Sequence, residues 1–151
     1  MTPQQQELLR STWAQVAPIA DPAARIFYDR LFKLDPAIAP LFTFTDMELQ
    51  RKNLMQTLTI VVKSIDSLET IVPAVEALGR RHAGYGVKAS HYATVGRALL
   101  DTLEVGLGDA FTREARDAWA EAYEILASVM LAAAAQSAPV EMEPEVRAAA
   151  A

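Results

Sequence analysis

Residues Gly79–Tyr92 read GRRHAGYGVKASHY and hold both histidines of a chain that has no cysteine. Upstream, Ile71, Val75, Leu78 and His82 are spaced four, three and four apart. That spacing is one face of an α-helix, so His82 continues an apolar stripe and its ring is expected to point inward. Gly84 and Gly86 follow as the residues best able to take a left-handed conformation beyond a helix end. Ser90 then reads as the cap of another helix, with Tyr92, Val95, Leu99 and Leu103 inward. The stretch is therefore a joint between two helices, and the fold class turns on whether the rest of the chain keeps the same period.

Most of it does. A first helix is expected from about Gln4 to Ala17, with Leu9, Trp13 and Val16 on one face and Pro18 ending it. Asp21-Pro22 reads as the N-cap and first position of a second helix with a Phe27, Leu31 and Leu34 stripe, and Asp35-Pro36 repeats that signal for a short third. Thr45 and Glu48 have the spacing of a capping box and introduce a long helix to about Ile65. A further helix begins near Ser67 or Leu68, with Pro73 expected to distort its early part. In the last helix Phe111, Ala115, Ala118, Ala122, Ile125 and Val129 step by four, three, four, three and four residues, which marks a central packing helix. The alternation of half-buried strands is missing, so the expected class is all-α. Residues 137–151 lose this period and contain Pro139 and Pro144; a flexible tail is expected there after a domain spanning 1–136.

At 151 residues, 52% hydrophobic and 22% charged, the composition is that of one folded domain. The longest apolar run, Ile125 to Ala135, falls short of the ~20 residues that cross a bilayer, and the N-terminus lacks the layout of a secretory signal. A cytoplasmic protein with no membrane association is expected. The formal charge of −5, with basic residues dispersed, opposes nucleic-acid binding. Without cysteine there are no disulfides, thiolate nucleophiles or cysteine zinc sites.

Spacing alone leaves His82 three readings: a helix C-terminal cation beside Arg80 and Arg81, a core histidine with a satisfied ring, or a ligand. His91 sits with Thr94, Ala98 and Asp101 on a more polar face and reads as a surface residue. One inward histidine cannot build a zinc site, which needs several convergent side chains. It is enough for a metal already held in a macrocycle, as haem iron is. The opposite wall would then come from the helix after Asp46, where Gln50, Leu54, Thr57 and Val61 share a face, with Tyr28 on the second helix.

The motifs FYDRLF (27–32), PLF (40–42), the spacing from Gln50 to Leu54, LGRRHAGYGV (78–87), SHY (90–92), Val95-Gly96 and AWAEAY (118–123) occur in one order. Together they resemble the single-domain bacterial haemoglobins and the globin module of flavohaemoglobins, over about Gln6 to Met130. The resemblance implies a globin fold with haem b (iron protoporphyrin IX) on His82 as proximal ligand to a pentacoordinate iron. It further implies Phe42 wedged against the haem, Tyr28 and Gln50 as the distal hydrogen-bonding pair, and Leu54 as an apolar gate. Leu78, Tyr85, Val87 and Tyr92 correspond to the proximal side and haem edge.

The implied function is reversible binding of O2, with NO and CO as further ligands, in oxygen transport by a monomer or homodimer. The alternatives are a nitric oxide dioxygenase, with peroxidase side activity, served by a separate reductase, a gas sensor, or a haem-free helical interaction module. In flavohaemoglobins a glutamate on the last helix supports the proximal histidine; the corresponding position here falls near Ala134, so that support is expected to be missing while Tyr92 is kept.

Overall fold

The computed structural model describes residues 1–136, so the tail expected over 137–151 lies outside the described residues. Six α-helices run in order: α1 Pro3–Val16, α2 Ala20–Leu34, α3 Met47–Lys63, α4 Val72–Gly84, α5 Ala89–Leu107 and α6 Arg113–Ala135. Short 3₁₀ turns precede or join them at Ala17–Ile19, Pro36–Phe42, Leu68–Thr70 and Gly108–Ala110. No strand occurs among the described residues, as the periodicity requires.

The caps show where local signals were used and where a neighbour displaced them. Thr2 caps α1 in a reciprocal box: its hydroxyl accepts from the Gln5 N–H at 3.1 Å and the Gln5 side chain accepts from the Thr2 N–H at 2.9 Å. Asp35 accepts from the Ala37 N–H at 3.1 Å and starts the Pro36–Phe42 turn as read. Asp21 is not the cap of α2. The 3₁₀ turn at Pro18 already bends the chain helically, the Ala20 N–H bonds back to Ala17, and Asp21 lies inside the first turn facing Arg25 and Arg51. The α3 cap is Asp46, not Thr45. Its carboxylate takes the Glu48 and Leu49 N–H groups at 3.0 and 3.2 Å, while the Thr45 N–H is still engaged with the Phe42 carbonyl.

Pro73 lies in the first turn of α4, where a missing N–H breaks no helical bond, so the helix starts at Val72 without the distortion expected from the sequence. Gly84 ends α4 in the helical conformation and Gly86, at φ +91°, makes the reversal. Ser90 is inside α5, which begins one residue after Lys88; the His91 Nδ1 accepts the Lys88 N–H at 3.0 Å and does the capping. Phe111 precedes α6, whose cap is Thr112, accepting from the Ala115 N–H at 3.1 Å.

Packing follows the stripes. The indoles of Trp13 and Trp119 meet at 5.8 Å, and each N–H finds a threonine: Trp119 donates to Thr12 at 2.9 Å and Trp13 to Thr59 at 3.0 Å. These contacts join α1, α6 and α3. Ala24, Ala98, Ala115 and Ala118 are wholly buried, so α2 closes on α5 and α6 on the rest at short range. By length and composition α6 is apolar enough to cross a membrane, but its Ala118, Trp119 and Ala122 face is built into this core.

Two glycines are required by close approach. A Cβ on Gly96 would sit 2.7 Å from the Tyr123 ring, and one on Gly79 would collide with the Met130 backbone of α6. A backbone cannot rotate aside as a side chain can, so Gly79→Ala is expected to destabilise the fold by roughly 1–3 kcal/mol in chemical denaturation. Gly106→Ala is the contrasting change, because its Cβ would meet Ile19 at an ordinary 3.8 Å. It is expected to gain up to about 1 kcal/mol from helix propensity.

Candidate functional site

α4 packs along α6 and α2 along α5, whereas α3 and α4 face one another without an extensive contact. The gap between them is a cavity. It has two adjoining compartments, each of about 160 Å³, that share Leu54, Leu78, His82 and Val87 in their walls. A recess that is mostly apolar with a few convergent polar groups suits a small cofactor.

Eight of the nine residues singled out in the sequence line the first compartment. α2 brings Tyr28, the turn before α3 brings Phe42, and α3 brings Gln50 and Leu54. α4 brings Leu78 and His82, and the α4–α5 joint brings Tyr85 and Val87. The ninth, Tyr92, lines only the second compartment, where the Tyr123 hydroxyl donates to its carbonyl at 2.6 Å. Burial raises both phenol pKa values, and each hydroxyl stays protonated.

His91 departs from its surface reading: it is half-buried and borders the first compartment while capping α5. The signal was present in its place three residues after Lys88, the position whose side chain returns to the cap N–H. Leu41 and Asn53 also border the site, and no pattern in the sequence distinguishes them from ordinary turn and surface residues.

On the α4 wall, the His82 Nδ1 lies 2.8 Å from the Leu78 carbonyl oxygen one turn earlier. A carbonyl only accepts, so Nδ1 carries the proton and the neutral ring keeps its lone pair on Nε2. Nε2 has no partner among the described residues, and the ring borders both compartments. Burial lowers the His82 pKa, the Leu78 carbonyl opposes that, and the Arg81 charge adds to it. The ring is therefore neutral near pH 7, the form in which imidazole binds metal. No carboxylate among the described residues acts on it. The Tyr85 hydroxyl nearby is shut off from water; burial raises its pKa, and the charge and side-chain hydrogen bonding of Arg81 oppose that.

On the opposite wall the Gln50 amide donates to the Tyr28 hydroxyl oxygen at 3.0 Å. Both residues are buried, 7% and 6% exposed, which makes the pair a polar island in an apolar wall. Because the Tyr28 oxygen accepts from Gln50, its own proton is left to donate into the cavity. Phe27 and Phe42 meet the Tyr28 ring edge-on at 4.9 and 5.7 Å and hold its orientation.

Among the described residues no group of three or more His, Asp or Glu side chains could hold a bare metal ion. A single neutral nitrogen donor, facing two hydrogen-bond donors across an apolar gap, fits a metal that arrives with an equatorial ligand set of its own. The residues present thus fit haem.

Burial pushes the Tyr28 pKa up to about 12, with the Gln50 hydrogen bond and Arg51 opposing. An unfolded tyrosine ionises near 10, so the unfolded chain loses this proton first as pH rises. Stability from this group is complete below pH 10 and falls through pH 12, by about 2–3 kcal/mol. In alkaline unfolding, Tyr28→Phe is expected to flatten that loss; a pH dependence equal to that of the parent chain would contradict it.

Comparison with known proteins agrees with this geometry. The family model described as Globin matches residues 25–130. The flavohemoprotein of Bacillus subtilis is 32% identical over 127 residues, covering 83% of this chain and 32% of the relative, so the chain spans about a third of that protein's length. The neuroglobin of Danio rerio is 31% identical over 137 residues, covering 82% of this chain and 86% of its own. Among solved structures, the engineered carbene transferase RmaNOD of Rhodothermus marinus superimposes with a TM-score of 0.81 at 28% identity, over 90% of this chain and 94% of that one. A bacterial globin from Campylobacter jejuni shares the fold at TM-score 0.78 and 23% identity, over 89% and 97%. With a family model over most of its helical body and a near full-length relative above 30% identity, the chain belongs to the globin family.

Proposed function

We propose that the chain would hold haem b through the His82 Nε2 and bind O2 reversibly in the cavity beside Tyr28 and Gln50, with NO and CO as further ligands. The observation that carries this reading is the placement of an unpartnered, neutral Nε2 on α4 across an apolar cavity from the Gln50–Tyr28 pair. Haem held by the His82 Nε2 would supply a ferrous iron able to bind a diatomic gas.

The chain's own residues then set selectivity. The Leu78 carbonyl fixes the His82 tautomer and ring plane and keeps Nε2 available. Leu54 and Phe42 keep water from the polar island, where a hydrogen bond is stronger than in solvent. Tyr28 directs its proton into the cavity, while Gln50 holds the phenol oxygen from behind. A donor of this kind favours a ligand that draws negative charge, as O2 does on ferrous iron, over CO, which draws less. A hydrogen bond to such a ligand is worth about 1.5–3 kcal/mol, or roughly ten- to a hundred-fold in affinity.

The relatives also support a second reading, nitric oxide dioxygenation served by a separate reductase, since flavohemoproteins are among them and RmaNOD carries a nitric oxide dioxygenase name. The proximal side of this chain argues for binding as the primary role. The Nδ1 partner of His82 is a neutral carbonyl, the nearby charge is the Arg81 cation, and Ala134 supplies no carboxylate. His82 is thus a weaker electron donor than a histidine bonded to glutamate.

Purified protein supplied with haem is expected to show a Soret band that His82→Ala abolishes or shifts; an unchanged band in that variant overturns the assignment. Tyr28→Phe is expected to speed O2 release by about ten-fold or more while changing CO release by less than about three-fold. For the enzymatic reading, NO consumption under O2 with saturating reductase is expected to be slow. Many rapid turnovers would make dioxygenation the primary role.

A further inference from the structure

Beside the Tyr28–Gln50 pair, a second link crosses from α2 to α3. The Arg51 Nε lies 3.3 Å from Asp21 Oδ1, and the other oxygen of the same carboxylate takes Arg25 Nε at 2.9 Å. Arg51 immediately follows Gln50, and Asp21 precedes Tyr28 on α2 by seven residues, about two helical turns. The Arg51 side chain is only 14% exposed although it carries a full charge, while Lys52, its neighbour on α3, is 68% exposed and pairs with Glu48 at the 4.0 Å limit. The partly buried Arg51 guanidinium reaches across the helix gap to a carboxylate that is itself 56% exposed and shared with Arg25, so the link joins α3 to α2, whereas the Lys52–Glu48 pair stays within α3. The Arg51 charge is also close enough to act on the Tyr28 hydroxyl.

These observations describe a closed loop: along α2 from Asp21 to Tyr28, across by the Gln50 hydrogen bond, one residue along α3, and back by the Arg51 ion pair. We propose that Arg51, tethered by Asp21, is a positioning residue for the distal pair: it holds Gln50 at hydrogen-bonding distance from Tyr28 and thereby sets how strongly the pair discriminates between O2 and CO. This rests on the gas-binding reading above. Arg51 itself does not border the cavity, so its effect passes through the two residues that do. Without the tether, the start of α3 moves relative to α2, Gln50 leaves the Tyr28 oxygen, and the phenol O–H is no longer held toward the ligand.

The test combines two readouts on Arg51→Leu, Asp21→Asn and the charge-reversed pair Asp21→Arg with Arg51→Asp, with Lys52→Leu as control. In the haem-loaded protein, the ratio of O2 to CO release rates is expected to rise about three- to ten-fold in both single variants, of the size of one charge-assisted hydrogen bond weakened rather than lost. It is expected to return toward the parent value in the reversed pair and to stay put in Lys52→Leu. In the purified chain with or without haem, nuclear Overhauser contacts between the Gln50 side-chain amide and the Tyr28 ring are expected to vanish in Arg51→Leu and persist in Lys52→Leu, with helicity unchanged. Persisting contacts in Arg51→Leu, equal changes in O2 and CO release, or no recovery in the reversed pair would overturn the tether. A chain that takes up no haem would sink the gas-binding reading alone, because the Overhauser contacts still decide whether Arg51 positions Gln50. Should Arg51→Leu fail to fold, Asp21→Asn, which removes an exposed carboxylate, carries the same comparison.

Discussion

Gly79 lets α4 lie against the Met130 backbone of α6, and the position of α4 relative to every other helix depends on that contact. His82 follows three residues later on the same helix, so the approach that seats α4 on α6 also carries the imidazole to the edge of a cavity that α4 never closes against α3. A chain of buried alanines and the paired indoles make the remaining interfaces short and rigid. The framework is closely joined where these helices meet and leaves space between α3 and α4. Free energy favours filling such space, since its lining atoms lack dispersion partners on one side.

Two polar devices face each other across that space and differ in how they are held. His82 is oriented within its own helix, by a carbonyl one turn back, so its geometry survives small movements of α4. The Tyr28–Gln50 pair spans two helices and is as good as the register between them. Aromatic packing fixes Tyr28 from the α2 side, and the Asp21–Arg51 link acts on the α3 side. A site built this way can tune its distal donors by altering the pairing of α2 with α3, leaving the proximal nitrogen undisturbed.

The joint at Gly79–Tyr92 illustrates how local signals compete. Ser90 is a good capping residue, yet His91 captures the Lys88 N–H because its ring reaches back three residues, which leaves Ser90 inside the helix. Thr45 lost its role to Asp46 in the same manner, through a carboxylate able to take two N–H groups when its neighbour's backbone was already engaged in a turn. Such substitutions move a helix start by one or two residues without rotating its buried stripe. For this reason the core face of α3 and α5 was legible although their first residues were not.

What the sequence by itself determined is the part governed by spacing of four and three: the all-α class, the inward turn of His82, and the shared face of Gln50 and Leu54. These are local properties, written within a single helix. The order of motifs added the family. Tertiary structure alone decided which nitrogen of His82 is free, that Gln50 donates to Tyr28 rather than the reverse, that His91 borders the cavity, and that Asp21 answers a cation thirty residues away. Each of these depends on the distance between separate helices or on which of several local partners is nearest, and no period along the chain encodes either quantity.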